Sequence, residues 1–333
     1  MEQNFSFIIP VYNRPQEIKE LLESFIQLEF NKDFEIVIIE DGSTLPSEEI
    51  CKTFSPKLNI SYYFKENSGP GASRNYGMLR AKGSYYIILD SDCILPSHYL
   101  TTITSFLKNN YYDCFGGADA AHSSFSTLQK AINYVMTSFF TTGGIRGNEK
   151  SITNFEPRSF NMGVSKEAFI ATQGFAKIHP GEDPDLSIRL LNLGFKTIFI
   201  PNAYVFHKRR ISWSKFYTQV KKFGMVRPIL NSWHPSTSKI TYWFPTIFVL
   251  FSIISILLSG IVNLVFIVPL SLYLSLILID SSIKNKNLYI GLLSVFALFI
   301  QFFGYGLAFF KSSFYIKILK RDPEKQFPHL FFK

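Results

Sequence analysis

The chain has 333 residues, a net charge of +9 and a positive mean hydropathy of +0.12. That length holds one large domain with an appendage, or two domains, and the hydropathy is unusual for a wholly soluble protein. Residues 1–206 carry 18 basic against 22 acidic side chains and residues 207–333 carry 16 against 3, so the positive charge flanks apolar segments. Such a pattern suits anionic lipid headgroups and argues against nucleic acid as a partner. The three cysteines, Cys51, Cys93 and Cys114, lack paired spacing and read as free thiols in a reducing compartment.

Taken in order, Phe5–Pro10 reads as a strand, not a leader, so the first domain is expected to stay on the cytoplasmic side. Val11–Pro15 is a loop, and Ile18, Leu21, Leu22, Phe25 and Leu28 mark an amphipathic helix opened by Pro15. Phe34–Ile39 is a second buried strand ending in Glu40-Asp41-Gly42-Ser43. A short helix over Glu48–Phe54 and a strand over Ile60–Phe64 follow. Asn67–Asn75 is a Gly-rich turn opening a helix that runs through Ala81. Tyr86–Leu89 is an apolar run with the length of a strand buried on both faces, and it emerges at Asp90-Ser91-Asp92. Strands and helices alternating at this spacing predict βαβ units in a mostly parallel, Rossmann-like α/β sheet with flanking helices.

Beyond it, a helix is expected over His98–Leu107, a strand near Asp113–Ala118 and a helical stretch near Thr127–Phe140. The Gly143–Glu149 loop reads as mobile. Ser159–Val164 reads as a strand and Lys166–Ala171 as a short helix. Gly181-Glu182-Asp183-Pro184-Asp185 precedes a helix over Leu186–Leu193 that Gly194 ends, with Asp185 a candidate cap. Phe195–Ile200 and Tyr204–His207 read as short strands. In Ile211–Phe223 the residues Trp213, Phe216, Tyr217, Val220 and Phe223 share one face, with Lys215, Lys221 and Lys222 among the rest. This is the pattern of a helix in a membrane interface or of an amphipathic helix packed on the sheet, and the apolar spans that follow favour the interface.

Phe244–Ile279 would rise about 54 Å as one helix, against a hydrocarbon core of about 30 Å. Gly260 and Asn263 divide it into two spans, and Leu288–Phe310 makes a third. Three spans leaving a cytoplasmic domain would put the tail outside. Yet the tail carries Lys311, Lys317, Lys320, Arg321, Lys325 and Lys333, which the positive-inside tendency places in the cytoplasm. An even number of crossings, or one re-entrant or interfacial segment, reconciles the two. The expected division is residues 1–210 as the α/β domain, 211–240 as interfacial helix and linker, 241–310 as two or three transmembrane segments, and 311–333 as a basic tail.

The chemistry gathers at the carboxyl ends of the predicted strands, where open α/β sheets bind ligands. Two carboxylates one residue apart, Asp90 and Asp92, repel unless a cation shares them, and paired oxygen ligands suit Mg²⁺ or Mn²⁺ with substrate phosphates completing the shell. Six stretches stand in order: Phe7–Arg14, Ile38–Ser43, Gly69–Asn75, Leu89–Asp92, Asn161–Gly163 and Gly181–Leu186. Together they resemble the family 2 glycosyltransferases of GT-A fold, inverting enzymes that use nucleotide-sugar donors. The tail, with Gly304-Tyr305-Gly306, is similar to the membrane-anchored exopolysaccharide subgroup related to succinoglycan synthesis.

The resemblance implies roles. Asp41 would contact the nucleotide base, with Pro10, Val11 and Tyr12 lining its pocket. Arg14 and Arg74 would serve the donor, Arg74 at its phosphates from the start of a helix. Asp90 and Ser91 would belong to the donor site, Asp90 at the ribose or the metal, and Asp92 would hold Mg²⁺ or Mn²⁺. Asp183 would be the base that deprotonates the acceptor hydroxyl, with Glu182 and Asp185 near enough to raise its pKa or compete for the role. His207 would meet the metal or the diphosphate, and Arg209 and Arg210 phosphate or lipid headgroups. Gly69 and Gly71 do not belong to a dinucleotide fingerprint, because Arg74 stands where the third glycine would be. Where processive synthases of the family carry Gln-x-x-Arg-Trp, this chain reads Gln219-Val220-Lys221-Lys222-Phe223. Lysine does not replace planar arginine recognition, so single-sugar transfer is expected. The implied partners are a nucleotide-sugar donor, a lipid-linked saccharide acceptor and anionic lipids of the inner (plasma) membrane. A processive synthase and a non-catalytic membrane scaffold of the same fold are the alternatives.

Overall fold

A computed structural model describes residues 3–120, 126–142, 155–207 and 212–332. The expectations for Gly143–Glu149, Arg209 and Arg210 lie outside the described residues. In chain order the elements are β1 (Phe5–Val11), α1 (Pro15–Ile26), β2 (Glu35–Asp41), α2 (Glu48–Phe54), β3 (Ile60–Lys65), α3 (Pro70–Arg80), β4 (Tyr85–Leu89), β5 (Cys93–Ile94), α4 (Tyr99–Asn109), β6 (Cys114–Ala120), α5 (Thr127–Thr137), α6 (Phe139–Thr142), β7 (Asn161–Ser165), α7 (Lys166–Thr172), α8 (Glu182–Asn192), β8 (Thr197–His207), α9 (Trp213–Trp233), α10 (Phe244–Ile261), α11 (Val268–Asn285) and α12 (Leu288–Ser313). The chain divides into two compact units. One comprises residues 1–122, 149–208 and 331–333, and the other residues 123–148 and 209–330.

The first unit is built on a sheet in the order β3-β2-β1-β4-β7-β6-β8-β5. The β1, β2, β3 and β4 strands pair in parallel. The β7 strand runs against both β4 and β6, and β5 runs against β8. Since β6 and β8 are parallel, only β7 and β5 oppose the common direction, and the sheet is mixed but mostly parallel.

Period-2 alternation explains why the strands read as unbroken apolar runs. Phe7, Ile9, Ile36, Ile38, Tyr85, Ile87 and Leu89 join one core, filled from α1 and α4 by Leu21, Phe25, Tyr99 and Ile103. Their neighbours Ile8, Val37, Ile39, Tyr86 and Ile88 join a second core with Met78 of α3, Phe169 of α7 and Leu186 of α8. Burying each such side chain contributes about 1.5–3 kcal/mol, so both faces must be covered and helices must flank them. Pro10 is tolerated in β1 because the β1–β4 register stops at Ile8, leaving that edge of the strand end unpaired.

Near the site, two elements differ from expectation. The Phe195–Ile200 and Tyr204–His207 stretches form one strand, β8. The α8 helix begins at Glu182, four residues earlier than the apolar spacing suggests, so Glu182, Asp183 and Asp185 sit in its first turn. Asp185 is therefore no cap: Gly181 holds that position, and Asp185 pairs with Arg189 one turn on, at 2.7 Å.

In the second unit, three helices are long and apolar enough to cross a membrane: Ile240–Ile261, Leu264–Asn285 and Leu288–Ile318. Asn263 makes the expected break, its side chain accepting from the Val265 N–H at 2.9 Å. Hydroxyls tie the helices: Ser281 to Ser294 at 2.7 Å, Thr246 to the Gly306 carbonyl at 2.9 Å and Ser312 to the Met225 carbonyl at 2.7 Å. On α9, Phe216, Val220 and Gly224 are buried, whereas Tyr217 is exposed. All three cysteines are free and buried.

Candidate active site

The loops after β1, β2 and β4 leave the same edge of the sheet, because these strands are parallel and in register. Two residues fix them. Asn13, with a positive φ of 54°, accepts from Thr44 and Leu45 N–H at 2.9 and 3.0 Å, and its own N–H donates to Ser43 Oγ at 2.7 Å. Glu40 is fully buried and accepts from Ser43 Oγ, from both N–H and Oγ of Ser47 at 2.8 Å, and from Tyr62 OH at 3.1 Å. A buried carboxylate needs such satisfaction. Both residues scaffold the site.

Asp41 faces the amino end of α3. Its carboxylate accepts from the Ser68 and Gly69 N–H groups, each at 2.9 Å, and pairs with Lys65. Lys65 also reaches Ser68 Oγ at 2.6 Å. The sequence pattern did not single out Lys65; its position at the end of β3, one strand from Asp41, was the available signal. Of the expected base-pocket residues, Val11 is buried in the core under α1, and Tyr12 is exposed. Pro10 is half-buried, and Ser91 is buried between the two acids.

The paired acids after β4 each meet an arginine. Asp92 pairs with Arg14 from the α1 end, and Asp90 Oδ1 lies 2.8 Å from Arg74 Nη2. Arg74 is one turn inside α3 and 4% exposed. Its Nη1 is 3.2 Å from Glu182 Oε1 and 4.0 Å from Asp183 Oδ1, and its guanidinium lies 5.3 Å from the Phe175 ring centroid. One cation thus gathers acids from the β4 end and the α8 amino end. Two polar atoms in this cluster, Arg74 Nε and Asp183 Oδ1, are buried and have no hydrogen-bond partner among the described residues.

The two neighbouring acids of α8 are driven apart. Burial opposes ionisation of Glu182, but the His179 hydrogen bond at 2.9 Å and the Arg74 charge outweigh it, so its pKa falls. For Asp183, burial and then the Glu182 charge raise the pKa, against the pull of Arg74, Arg158 and Ser159. An ionised Glu182 beside an Asp183 of raised pKa is the separation a general base requires. The Asp183 side chain keeps 21% of its surface exposed, so it is not sealed from solvent.

Whether the cluster suits a divalent cation rests on Asp90 and Asp92. They are hard oxygen donors one residue apart, 33% and 12% exposed, which fits Mg²⁺ or Mn²⁺ completed by substrate phosphates. No three metal-ligating side chains cluster among the described residues. His207 closes β8 opposite Cys93, next to Asp92 in sequence, by backbone register. The structure therefore brings Asp90, Arg74, Glu182 and Asp183 together, and Asp92 with Arg14, while Asp41 is drawn to the α3 loop.

Residues 6–171 match the family model described as "Glycosyl transferase family 2". An uncharacterized glycosyltransferase of Rickettsia felis is 34% identical over 130 residues, 39% of this chain and 20% of its own length. The poly(ribitol-phosphate) beta-N-acetylglucosaminyltransferase TarS of Staphylococcus aureus is 33% identical over 112 residues, 33% of this chain and 20% of its own. The matched stretch thus spans about one fifth of these relatives. Among solved structures, the Pyrobaculum calidifontis mannosyltransferase PcManGT with GDP-Man and Mn²⁺ aligns at TM-score 0.57 and 14% identity, covering 97% of this chain and 89% of that one. TarS residues 1–349 with UDP-GlcNAc aligns at 0.51 and 18% identity, covering 94% and 92%. At these identities the likeness is one of fold. The sheet-bearing unit has a GT-A-like fold, and its residues 6–171, just under half of the chain, are similar to glycosyl transferase family 2.

Proposed function

We propose that the chain is an inverting, metal-dependent glycosyltransferase of the membrane-anchored exopolysaccharide type. It moves one sugar from a nucleotide-sugar, a UDP-sugar first among candidates, to a lipid-linked acceptor at the cytoplasmic face of the membrane. The observation that carries this reading is the Arg74 cluster, which unites Asp90 of the acid pair with Glu182 and Asp183. The names of the relatives and the UDP-GlcNAc in the TarS structure support a nucleotide-sugar donor, and the three apolar helices support a membrane-bound acceptor.

A Mg²⁺ or Mn²⁺ ion held by Asp90 and Asp92 would supply positive charge to the leaving diphosphate. The work of the chain's own residues is proton transfer and orientation. Asp183 accepts the proton of the acceptor hydroxyl as its oxygen bonds to the anomeric carbon. The bond from that carbon to the diphosphate oxygen breaks, its electron pair leaves with the nucleotide, and the configuration inverts. Glu182 stays ionised and fixed by Arg74 and His179, and its charge keeps Asp183 basic enough to act. Arg14, paired with Asp92, and the exposed Tyr12 would serve the donor.

The test is a panel of nucleotide-sugars offered to the purified full chain with and without Mn²⁺ or Mg²⁺. Metal-dependent donor turnover is expected, and chelation should abolish it. Asp183→Asn should lower transfer by about 10²–10⁴-fold, the usual worth of a general base, while donor binding persists. Asp92→Ala should remove the metal dependence together with activity. Retained transfer in both variants would refute the site, and long homopolymer from one donor would refute single-sugar transfer.

A further inference from the structure

Phe332 lies within the sheet-bearing unit, far in sequence from Gly69, Lys177 and His179, which it meets. Phe331 forms an antiparallel bridge with Ile178, and the Phe332 N–H donates to the Lys177 carbonyl at 3.1 Å. The Phe332 ring then spans two places. On one side it lies flat on Gly69, so close that a Cβ there would fall 2.2–2.5 Å from three ring carbons. Gly69, with φ +87°, is the residue that opens α3, and its N–H holds Asp41 at 2.9 Å. On the other side the ring meets His179, at 5.9 Å between centroids, and His179 holds Glu182 at 2.9 Å.

One ring thus touches the approaches to the amino ends of α3 and α8. These are the two helices that carry Arg74, Glu182 and Asp183. The segment between α7 and α8 is pinned early, where Asn75 makes two 2.8 Å hydrogen bonds with the Phe175 backbone. Phe331 and Phe332 supply a second pin, at Lys177–His179, just before the acids. We propose that Phe332 is a positioning residue for the catalytic base: it clamps the amino ends of α3 and α8 at the spacing that sets Asp183 against Arg74. The proposal deepens the transferase reading and rests on it. It concerns residues beyond the stretch that matches the family, which ends at 171.

The clamp is tested on the full chain in detergent with Phe332→Ala and Phe332→Tyr. Hydrogen–deuterium exchange needs no donor. In Phe332→Ala, amides over 68–73 and 177–186 should exchange faster, and Phe332→Tyr should restore them. With an accepted donor, Phe332→Ala should lower kcat about 10–100-fold, the scale of a base displaced by about 1 Å, with donor KM nearly unchanged. The acid limb of its pH profile should move to higher pH, because Asp183 would keep the repulsion of Glu182 while losing contact with Arg74, with Arg158 and Ser159 unaltered. Unchanged exchange overturns the clamp. Faster exchange with wild-type kcat and pH profile overturns its part in catalysis. A wild-type chain inert toward every nucleotide-sugar refutes the transferase reading instead, and exchange still decides the clamp.

Discussion

Arg74 meets acids that the chain delivers from 16 and 108 residues away. From sequence it reads as a phosphate ligand, because a cation near a helix start invites that role. Folded, it is buried and faces Asp90, Glu182 and Asp183 together. The difference was not legible, since no local pattern reveals a partner that arrives from α8. The acids themselves were legible: each follows a strand or opens a helix at the sheet edge. The electrostatic consequence can be measured. If Asp183 is the base it must be ionised, so transfer should fall as pH drops through its raised pKa. Arg74 holds that pKa down, so weakening Arg74 moves the acid limb upward. Arg74→Lys keeps one charge but loses the fork that reaches several carboxylates; a higher acid limb and a lower kcat are expected. A change confined to donor KM would return Arg74 to phosphate binding. Arg74→Met should also destabilise the unit by about 3–5 kcal/mol, because it strands buried carboxylates, and a denaturation series would read that loss.

At the level of elements, periodicity located nearly every strand and helix, since alternating burial on two faces writes itself into the apolar runs. It failed at α8. The first turn of that helix is Glu182-Asp183-Pro184-Asp185, which carries no apolar signal, although proline and acids suit a first turn. The opening turn therefore reads as a loop, and Asp183, the proposed base, gains a helical mount that the pattern hides. The glycines of α9 and α12 hold another lesson. Gly304-Tyr305-Gly306 stands out in the sequence as a resemblance, and its physical reason is close approach. A Cβ on Gly224 of α9 would lie 2.3 Å from the Tyr305 carbonyl oxygen. Backbone atoms cannot yield as a side-chain tip does, so Gly224→Ala should force the helices apart at a cost of about 1–3 kcal/mol. A lower unfolding midpoint in detergent checks it; an unchanged midpoint would mean that the two helices do not pack through this glycine.

Across the whole molecule, the conflict between span count and tail charge meets a constraint that the sequence could not supply. Phe331 and Phe332 pair with Lys177 and Ile178 inside the sheet-bearing unit. Hydrogen bonds of this kind require both partners on one side of a bilayer. If the chain spans a membrane between leaving this unit and rejoining it at Phe331, an even number of crossings is expected. Three helices pass the test of length and apolarity, so complete crossing by all three, with no other crossing, is incompatible with the bridge. The charge of the tail agrees with an even count, because Lys320, Arg321 and Lys325 follow the third apolar helix and the positive-inside tendency expects them on the cytoplasmic side. Glu66 and Glu324 are both exposed, and the three native cysteines are buried, so single cysteines at these two positions report the geometry. Glu66→Cys and Glu324→Cys should be labelled by an impermeant thiol reagent from the same face of sealed vesicles. Labelling from opposite faces would mean an odd number of crossings. It would be incompatible with the Ile178–Phe331 bridge, and with it the clamp proposed for Phe332 on the proposed base.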